Sequence, residues 1–178
     1  SKGEDGFHLP PREAWERALT PRTRLVLLCN PNNPTGTVYS REELEMVAAF
    51  CRDHGLFLVA DEVYREFVYD GAHSVSALSL GGFEDQVILV DSLSKRYSAC
   101  GIRLGCLVTR NAEVYGAALC MAQGRLSPPG LAQLVALGTT ELGPDYAKGI
   151  VREYQARRDV LFEGLSRIPG VFLRKPEG

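Results

Sequence analysis

A chain of 178 residues, 45% apolar and 24% charged, is long enough for one filled core and too apolar to stay disordered. Its net charge of -2, with both signs interspersed, supplies neither a basic stripe for nucleic acid nor a polybasic segment for a membrane. No run reaches the roughly 18 apolar residues of a spanning helix, and Ser1-Lys-Gly-Glu-Asp-Gly6 lacks a signal-peptide core, so the cytoplasm is the expected compartment.

The opening residues read as loop as far as Pro10-Pro11, which starts a helix over Arg12–Leu19 with Trp15, Ala18 and Leu19 on one stripe. Thr23–Cys29 reads as a buried strand that runs into Asn30-Pro-Asn-Asn-Pro-Thr-Gly36, a stiff turn in which two prolines remove backbone donors. Ser40-Arg-Glu-Glu43 is a capping box for a helix through Leu44, Val47, Ala48 and Cys51 that stops at Gly55. Leu56–Ala60 is the next strand and completes a crossover of conventional length, so these two strands are expected to be parallel.

Gln86–Asp91 is a third strand, continuous rather than alternating in its apolar residues, as suits burial on both faces of a parallel sheet. Leu104–Thr109 is a fourth, joined by a link too short for a crossover helix and so expected to run antiparallel. Asn111 caps a helix through Val114, Ala117, Ala118 and Met121, and Pro128-Pro129 starts another through Leu131, Leu134, Val135 and Leu137. Pro144 opens a long helix through Ile150, Tyr154, Leu161 and Leu165, whose charged face of Arg152, Glu153, Arg157, Arg158 and Asp159 reads as solvated or interfacial. Ile168-Pro-Gly170 ends it, and Val171–Gly178 reads as the start of a strand.

Five cysteines, at 29, 51, 100, 106 and 120, form no Cys-x-x-Cys pair; they read as small buried hydrophobes, and an odd number suits a reducing compartment. His8, His54 and His73 have no metal spacing and read as surface or capping residues, so no metal site is expected.

Chemistry concentrates where strands end. Asp91-Ser-Leu-Ser-Lys-Arg-Tyr-Ser-Ala-Cys-Gly-Ile-Arg-Leu-Gly105 places Lys95, the hydroxyls of Ser92 and Ser94 and the guanidinium of Arg103 beyond the third strand, where a parallel sheet binds its ligands. A lysine partly desolvated in such a crevice can attack a carbonyl carbon, and a planar cation with two hydroxyls suits a phosphate. Asn33 follows the first strand, and Asp61 and Tyr64 follow the second. Taken singly, each of these motifs is as common in ordinary turns and surfaces.

Together they resemble a known family. Asn-Pro-Asn-Asn-Pro-Thr-Gly, Asp-Glu-Val-Tyr, and Ser-x-Ser-Lys followed by Gly-x-Arg-x-Gly are similar, in order, to the motifs of the class I/II aminotransferases. These are the aspartate aminotransferase-like group of the fold-type I pyridoxal-phosphate enzymes. The resemblance implies an α/β fold, a three-layer and mostly parallel sheet flanked by helices, forming an incomplete large cofactor domain over residues 1–143. A long interdomain helix over 144–168 and the start of a small C-terminal domain over 169–178 would follow.

The implied cofactor is pyridoxal 5'-phosphate, which needs an amine for its aldehyde, a carboxylate beside its ring nitrogen, donors to its phenolic oxygen and a phosphate clamp. By the resemblance Lys95 would hold it as a Schiff base and then carry the 1,3-proton shift, and Asp61 would pair with the ring nitrogen. Tyr64 and Asn33 would bond the phenolic oxygen, and Ser92, Ser94 and Arg103 would bind phosphate. The implied activity moves an amino group between an amino acid and a 2-oxo acid, in a homodimer. A β-lyase or synthase, or a pyridoxal-phosphate-sensing domain of a transcription regulator, would use the same scaffold. Cys100-Gly101-Ile102 stand where many relatives carry a threonine and a tryptophan. The family's upstream phosphate loop, its ring-stacking aromatic and its carboxylate-gripping arginine are expected outside this chain, which on its own would be a poor enzyme.

Overall fold

The computed structural model describes residues 2, 3, 6–143 and 145–178. The stretch expected as loop instead contains two short strands, β1 (Lys2–Gly3) and β2 (Gly6–Phe7), paired antiparallel; Ser1, Glu4 and Asp5 lie outside the described residues. Helix α1 (Arg12–Ala18) follows Pro11 and leans Trp15 and Leu19 on the core, while Ala18 is exposed.

Strand β3 (Leu25–Cys29), helix α2 (Arg41–Asp53) and strand β4 (Phe57–Asp61) form the expected crossover, with β3 and β4 parallel. The capping box is present in full, because the Ser40 hydroxyl accepts from the Glu43 amide at 3.2 Å and the Glu43 carboxylate accepts from the Ser40 amide at 2.8 Å. Strand β5 (Val87–Ser92) runs parallel to β4, and after the single turn α3 (Leu93–Arg96) strand β6 (Gly105–Thr109) returns antiparallel to β5. The strand order β3-β4-β5-β6 therefore aligns the carboxyl ends of three neighbours.

The core lies between α2 and one face of this sheet. Val47, Ala48 and Cys51 of α2 meet Leu28, Leu58, Ala60 and Val87, all of them buried. Burial pushes the Cys51 thiol up to about 12, which leaves it an inert apolar filler. The opposite face departs from the expectation of burial on both sides: Leu25 is 49% and Leu27 67% exposed, and Leu107 is also open. Because side chains alternate across a strand, a fully apolar strand needs two covering layers, and the described residues supply one.

Helix α4 (Ala112–Gly124) is capped by Asn111 as expected, and helix α5 (Gly130–Thr139) begins after Pro129. Met121, Leu131, Leu134 and Leu137 stand in solvent instead of in a core. The cysteines are corrected likewise: Cys51 is buried and Cys29 half-buried, but Cys100, Cys106 and Cys120 are exposed, and all five are free thiols. Helix α6 (Asp145–Ser166) is the long helix; Pro144, expected to open it, lies outside the described residues. Arg158, on the face read as solvated or interfacial, is buried.

Val171–Gly178 is not a strand. With no strand beside it among the described residues, its backbone pairs elsewhere: Glu177 and Gly178 donate to the Gly36 carbonyl at 2.8 and 3.0 Å, and the Tyr69 amide donates to Glu177 at 2.8 Å. The segment is a strap laid across the β3 loop.

The cap of α2 aligns the helix whose whole inner face is core. Ser40→Ala should lower stability by about 1 kcal/mol and the thermal midpoint by roughly 2–4 °C, measured by calorimetry of the purified protein; an unchanged midpoint would show that the cap does not hold α2.

Candidate active site

The three asparagines of the β3 loop divide their work by geometry. The buried Asn30 accepts the Tyr39 amide at 2.9 Å, and Asn32 turns inward to the Cys29 carbonyl at 3.3 Å and to the Thr35 hydroxyl at 2.8 Å. Asn33 alone faces outward, where its Nδ2 donates to the Tyr64 hydroxyl at 3.2 Å. Tyr64 reaches that point because Asp61, the last residue of β4, accepts the Val63 amide at 3.1 Å and turns the chain at the strand end.

In the sheet register Asp61 stands between Cys29 and Val90. Strand alternation places these three on the face that α2 does not cover. The Cys29 thiol is raised by burial, with a further push from the Asp61 charge.

Beyond β5 the Ser92 hydroxyl accepts the Ser94 amide at 3.0 Å and lies 2.7 Å from the Ser94 hydroxyl, so the two serines form one donor cluster at the start of α3. Lys95 Nζ lies over the Tyr64 ring, 5.6 Å from its centroid. The expected desolvation of this amine is not found: Lys95 is exposed, because the cleft it enters is open to solvent. Neighbouring Arg96 takes the acidic partners, Asp91 at 2.7 Å and Glu66 at 3.2 Å.

Arg103 has a left-handed backbone with φ of 58°, and its Nη1 donates to the Cys100 carbonyl at 2.9 Å. Cys100, expected as packing, instead lines the cleft, with Sγ 3.1 Å from the Ser94 carbonyl. Gly105 has a steric reason to be glycine, since a Cβ there would lie 2.6 Å from the Asp91 carbonyl oxygen.

The cleft that results has a volume of about 510 Å³. Asn33, Tyr64, Ser94 and Lys95 line it together, whereas Asp61, Ser92 and Arg103 are not among its lining residues. Sequence reasoning missed the far wall. Phe67 and Tyr154 of α6 meet edge to face at 5.8 Å, and Pro176 and Gly178 of the strap complete the rim. The strap is held by Arg158, which donates to the Pro176 carbonyl at 2.8 Å, pairs with Asp70 at 2.9 Å and lies 4.6 Å from the Tyr69 ring centroid. The signal available in the sequence, an arginine among acids on a helix, is the same for a solvated face and for this clamp.

Sequence reasoning also missed Glu62, which is 1% exposed. It accepts the Ala77 amide at 2.7 Å and the Ser76 hydroxyl at 3.0 Å, and burial raises its carboxyl above the usual range.

Residues 3–178 match the family model "Aminotransferase class I and II". A probable aspartate/prephenate aminotransferase of Aquifex aeolicus is 36% identical over 183 residues, a match that covers 99% of this chain and 45% of that protein. Among solved structures, the aspartate aminotransferase from Rhizobium meliloti superposes with a TM-score of 0.89 at 30% identity, covering 100% of this chain and 45% of that one. An alanine aminotransferase from Pyrococcus furiosus gives 0.85 at 33% identity, over 95% and 44%. The chain thus spans a little under half the length of these relatives.

Gly36 adopts φ of 66°, and a Cβ there would lie 2.5 Å from the Pro176 Cβ and 2.9 Å from the Gly178 carbonyl oxygen. Gly36→Ala should therefore lift the strap and speed hydrogen exchange at the Tyr69, Glu177 and Gly178 amides by roughly tenfold or more; unchanged exchange would mean that the strap is not seated on this glycine. The strap should also loosen in acid. The Arg158 hydrogen bond holds the Asp70 carboxyl below its ordinary range, and the Lys175 hydrogen bond does the same for Asp159. A lowered carboxyl stabilises while ionised, so the same amides should stay protected at neutral pH and lose protection as pH falls through the lowered values.

Proposed function

The chain belongs to the class I and II aminotransferase family, and on that footing we propose that it forms the lysine-bearing part of the active site of a pyridoxal-phosphate-dependent aminotransferase. The reaction moves an amino group between an amino acid and a 2-oxo acid. The observation that carries this reading is the Lys95 amine, which has no carboxylate partner among the described residues and is held over Tyr64, which in turn accepts from Asn33. The relatives' names favour amino transfer over a lyase or a sensing domain, and they span aspartate, prephenate and alanine, so the substrate proposal stays at amino acid and 2-oxo acid.

The residues present fit the group. Its aldehyde needs an amine, its phenolic oxygen a pair of donors, its ring nitrogen a carboxylate and its phosphate hydroxyls and a cation. Lys95, Tyr64 with Asn33, and Ser94 have those chemistries in one cleft, and Asp61 at the end of β4, Ser92 bonded to Ser94, and Arg103 supply the rest from the adjoining strand ends. When bound, pyridoxal phosphate acts as an electron sink that makes a proton on the substrate α-carbon acidic.

Lys95 would bond to the aldehyde carbon and, once displaced by substrate, take the proton from the α-carbon and return it one position along. Asp61, ionised, would keep a proton on the ring nitrogen. Tyr64 and Asn33 would hold the phenolic oxygen and fix the plane of the ring, and the serine pair with Arg103 would anchor phosphate.

In the same proposal α6 is the helix between two domains and residues 169–178 begin the smaller one. The exposed apolar residues of α4 and α5 support an assembled protein that buries them, and a homodimer is the form proposed. Five free thiols support a reducing compartment, the cytoplasm.

Borohydride reduction of the full-length protein with pyridoxal phosphate, followed by peptide mapping, should label Lys95, and label on another residue would refute the assignment. Lys95→Ala should abolish labelling and activity with the fold intact. Asp61→Asn should retain the cofactor yet slow removal of the substrate α-proton by roughly a hundredfold or more in single turnover; a normal rate would remove Asp61 from its role.

A further inference from the structure

Helix α3 presents a physical problem. It is a single turn of four residues, none of them buried, and one turn has too few hydrogen bonds to hold itself in water. Yet it carries Lys95, whose amine must stay registered against Tyr64 on a different loop.

Four charges that line no part of the cleft join those two loops. Arg65 follows Tyr64 and Arg96 follows Lys95, so each functional side chain has a guanidinium next to it in sequence. Arg96 pairs with Asp91 at 2.7 Å and with Glu66 at 3.2 Å; Arg65 pairs with the same two carboxylates at 3.7 and 3.3 Å. The result is a closed ring in which Arg65 and Glu66 come from the β4 loop, Asp91 and Arg96 from β5 and α3, and each carboxylate is shared by the two arginines. Asp91 also accepts the Ser92 amide at 2.7 Å, which ties the ring to the first residue of the serine cluster.

Exposed ion pairs stabilise little, because water screens them and two long side chains must be ordered. Here the Asp91 and Arg96 side chains are only 9% and 16% exposed, so the pair within β5 and α3 is shielded, and each of its members reaches one partner on the β4 loop, Arg96 to Glu66 at 3.2 Å and Asp91 to Arg65 at 3.7 Å. The Arg96 Nη2 donates to Asp91 at 2.7 Å and so orients the guanidinium, while its Nε approaches Glu66 as an ion pair without a hydrogen bond; the backbone so anchored is the one that carries Lys95 one residue earlier.

We infer that this ring of Arg65, Asp91, Arg96 and Glu66 is the positioning device that sets the Lys95 amine against Tyr64, with Arg96 its principal member. The inference rests on the assignment of Lys95 as the residue that bonds the cofactor aldehyde. It is a positioning role, since none of the four lines the cleft.

The test uses the full-length protein, pyridoxal phosphate as probe and stopped-flow absorbance to follow its capture. Arg96→Met and Asp91→Asn should each slow capture at least tenfold while the thermal midpoint moves by no more than a few degrees, and Arg96→Lys should recover part of the loss. Slowing in both variants is the mark of positioning, because they remove charges of opposite sign and a field effect alone would drive them apart. Opposite effects, or capture at the wild-type rate in either variant, would overturn the inference. Should Arg96→Met fail to fold, the near-isosteric Asp91→Asn carries the test with the same two outcomes. Failure of the underlying assignment looks different: borohydride would then fail to label Lys95 in the wild type itself.

Discussion

Parallel pairing of β3, β4 and β5 is the constraint from which the rest follows. Each strand delivers its chain to the same edge of the sheet, and a parallel connection must return over the face before the next strand begins, so three successive loops have to open side by side. Asn33, Asp61 with Tyr64, and Lys95 occupy those loops. They lie 62 residues apart in sequence from first to last, and converge because strand order equals chain order. The antiparallel β6 then brings Arg103 back beside the serine cluster at the end of β5, at the point where Gly105 must pass the Asp91 carbonyl without a side chain.

The sheet can carry so open a site because its stability is drawn from the other side. Leu58, Val87 and Ala60 bury against α2 on one face, while Asp61, Cys29 and Val90 lie on the other. Polar groups at the strand ends are thus removed from the interface that holds the fold. A carboxylate among the α2 contacts would need partners of the kind Glu62 obtains from Ser76 and Ala77. Asp61 accepts only the Val63 amide among the described residues, which leaves acceptor capacity to spare.

What was legible in the sequence was local or periodic. The capping box at Ser40, the cap at Asn111 and the apolar runs of the strands are read from adjacent residues, and the structure has them within a residue or two of their expected ends. The antiparallel return of β6 followed from the shortness of its link. Burial on the second face was not legible, because an apolar strand such as Leu25–Cys29 reports what it can bury and not what covers it within this chain. Cys100, Cys106 and Cys120 misled for the same reason. The strap was out of reach altogether: a run such as Val171-Phe-Leu has strand composition, and only a neighbouring strand, set by tertiary structure, decides whether it pairs.

The charges show a deeper asymmetry between sequence and site. Arg96 and Arg158 look alike on paper, each an arginine near an acid in a helical segment, one of a single turn and one long. One spans two loops at the edge of the sheet and the other fastens a distant segment to α6 and Tyr69. Each has taken the carboxylates near it, and the consequence falls on their neighbours. Lys95 is left with an amine that answers to no acid among the described residues, while Tyr154, one helical turn before Arg158, is left facing the same cleft. In both places the group that holds the structure stands a few positions from the group exposed to the ligand, so that firmness at one side chain and availability at the next come from a single arrangement of ion pairs.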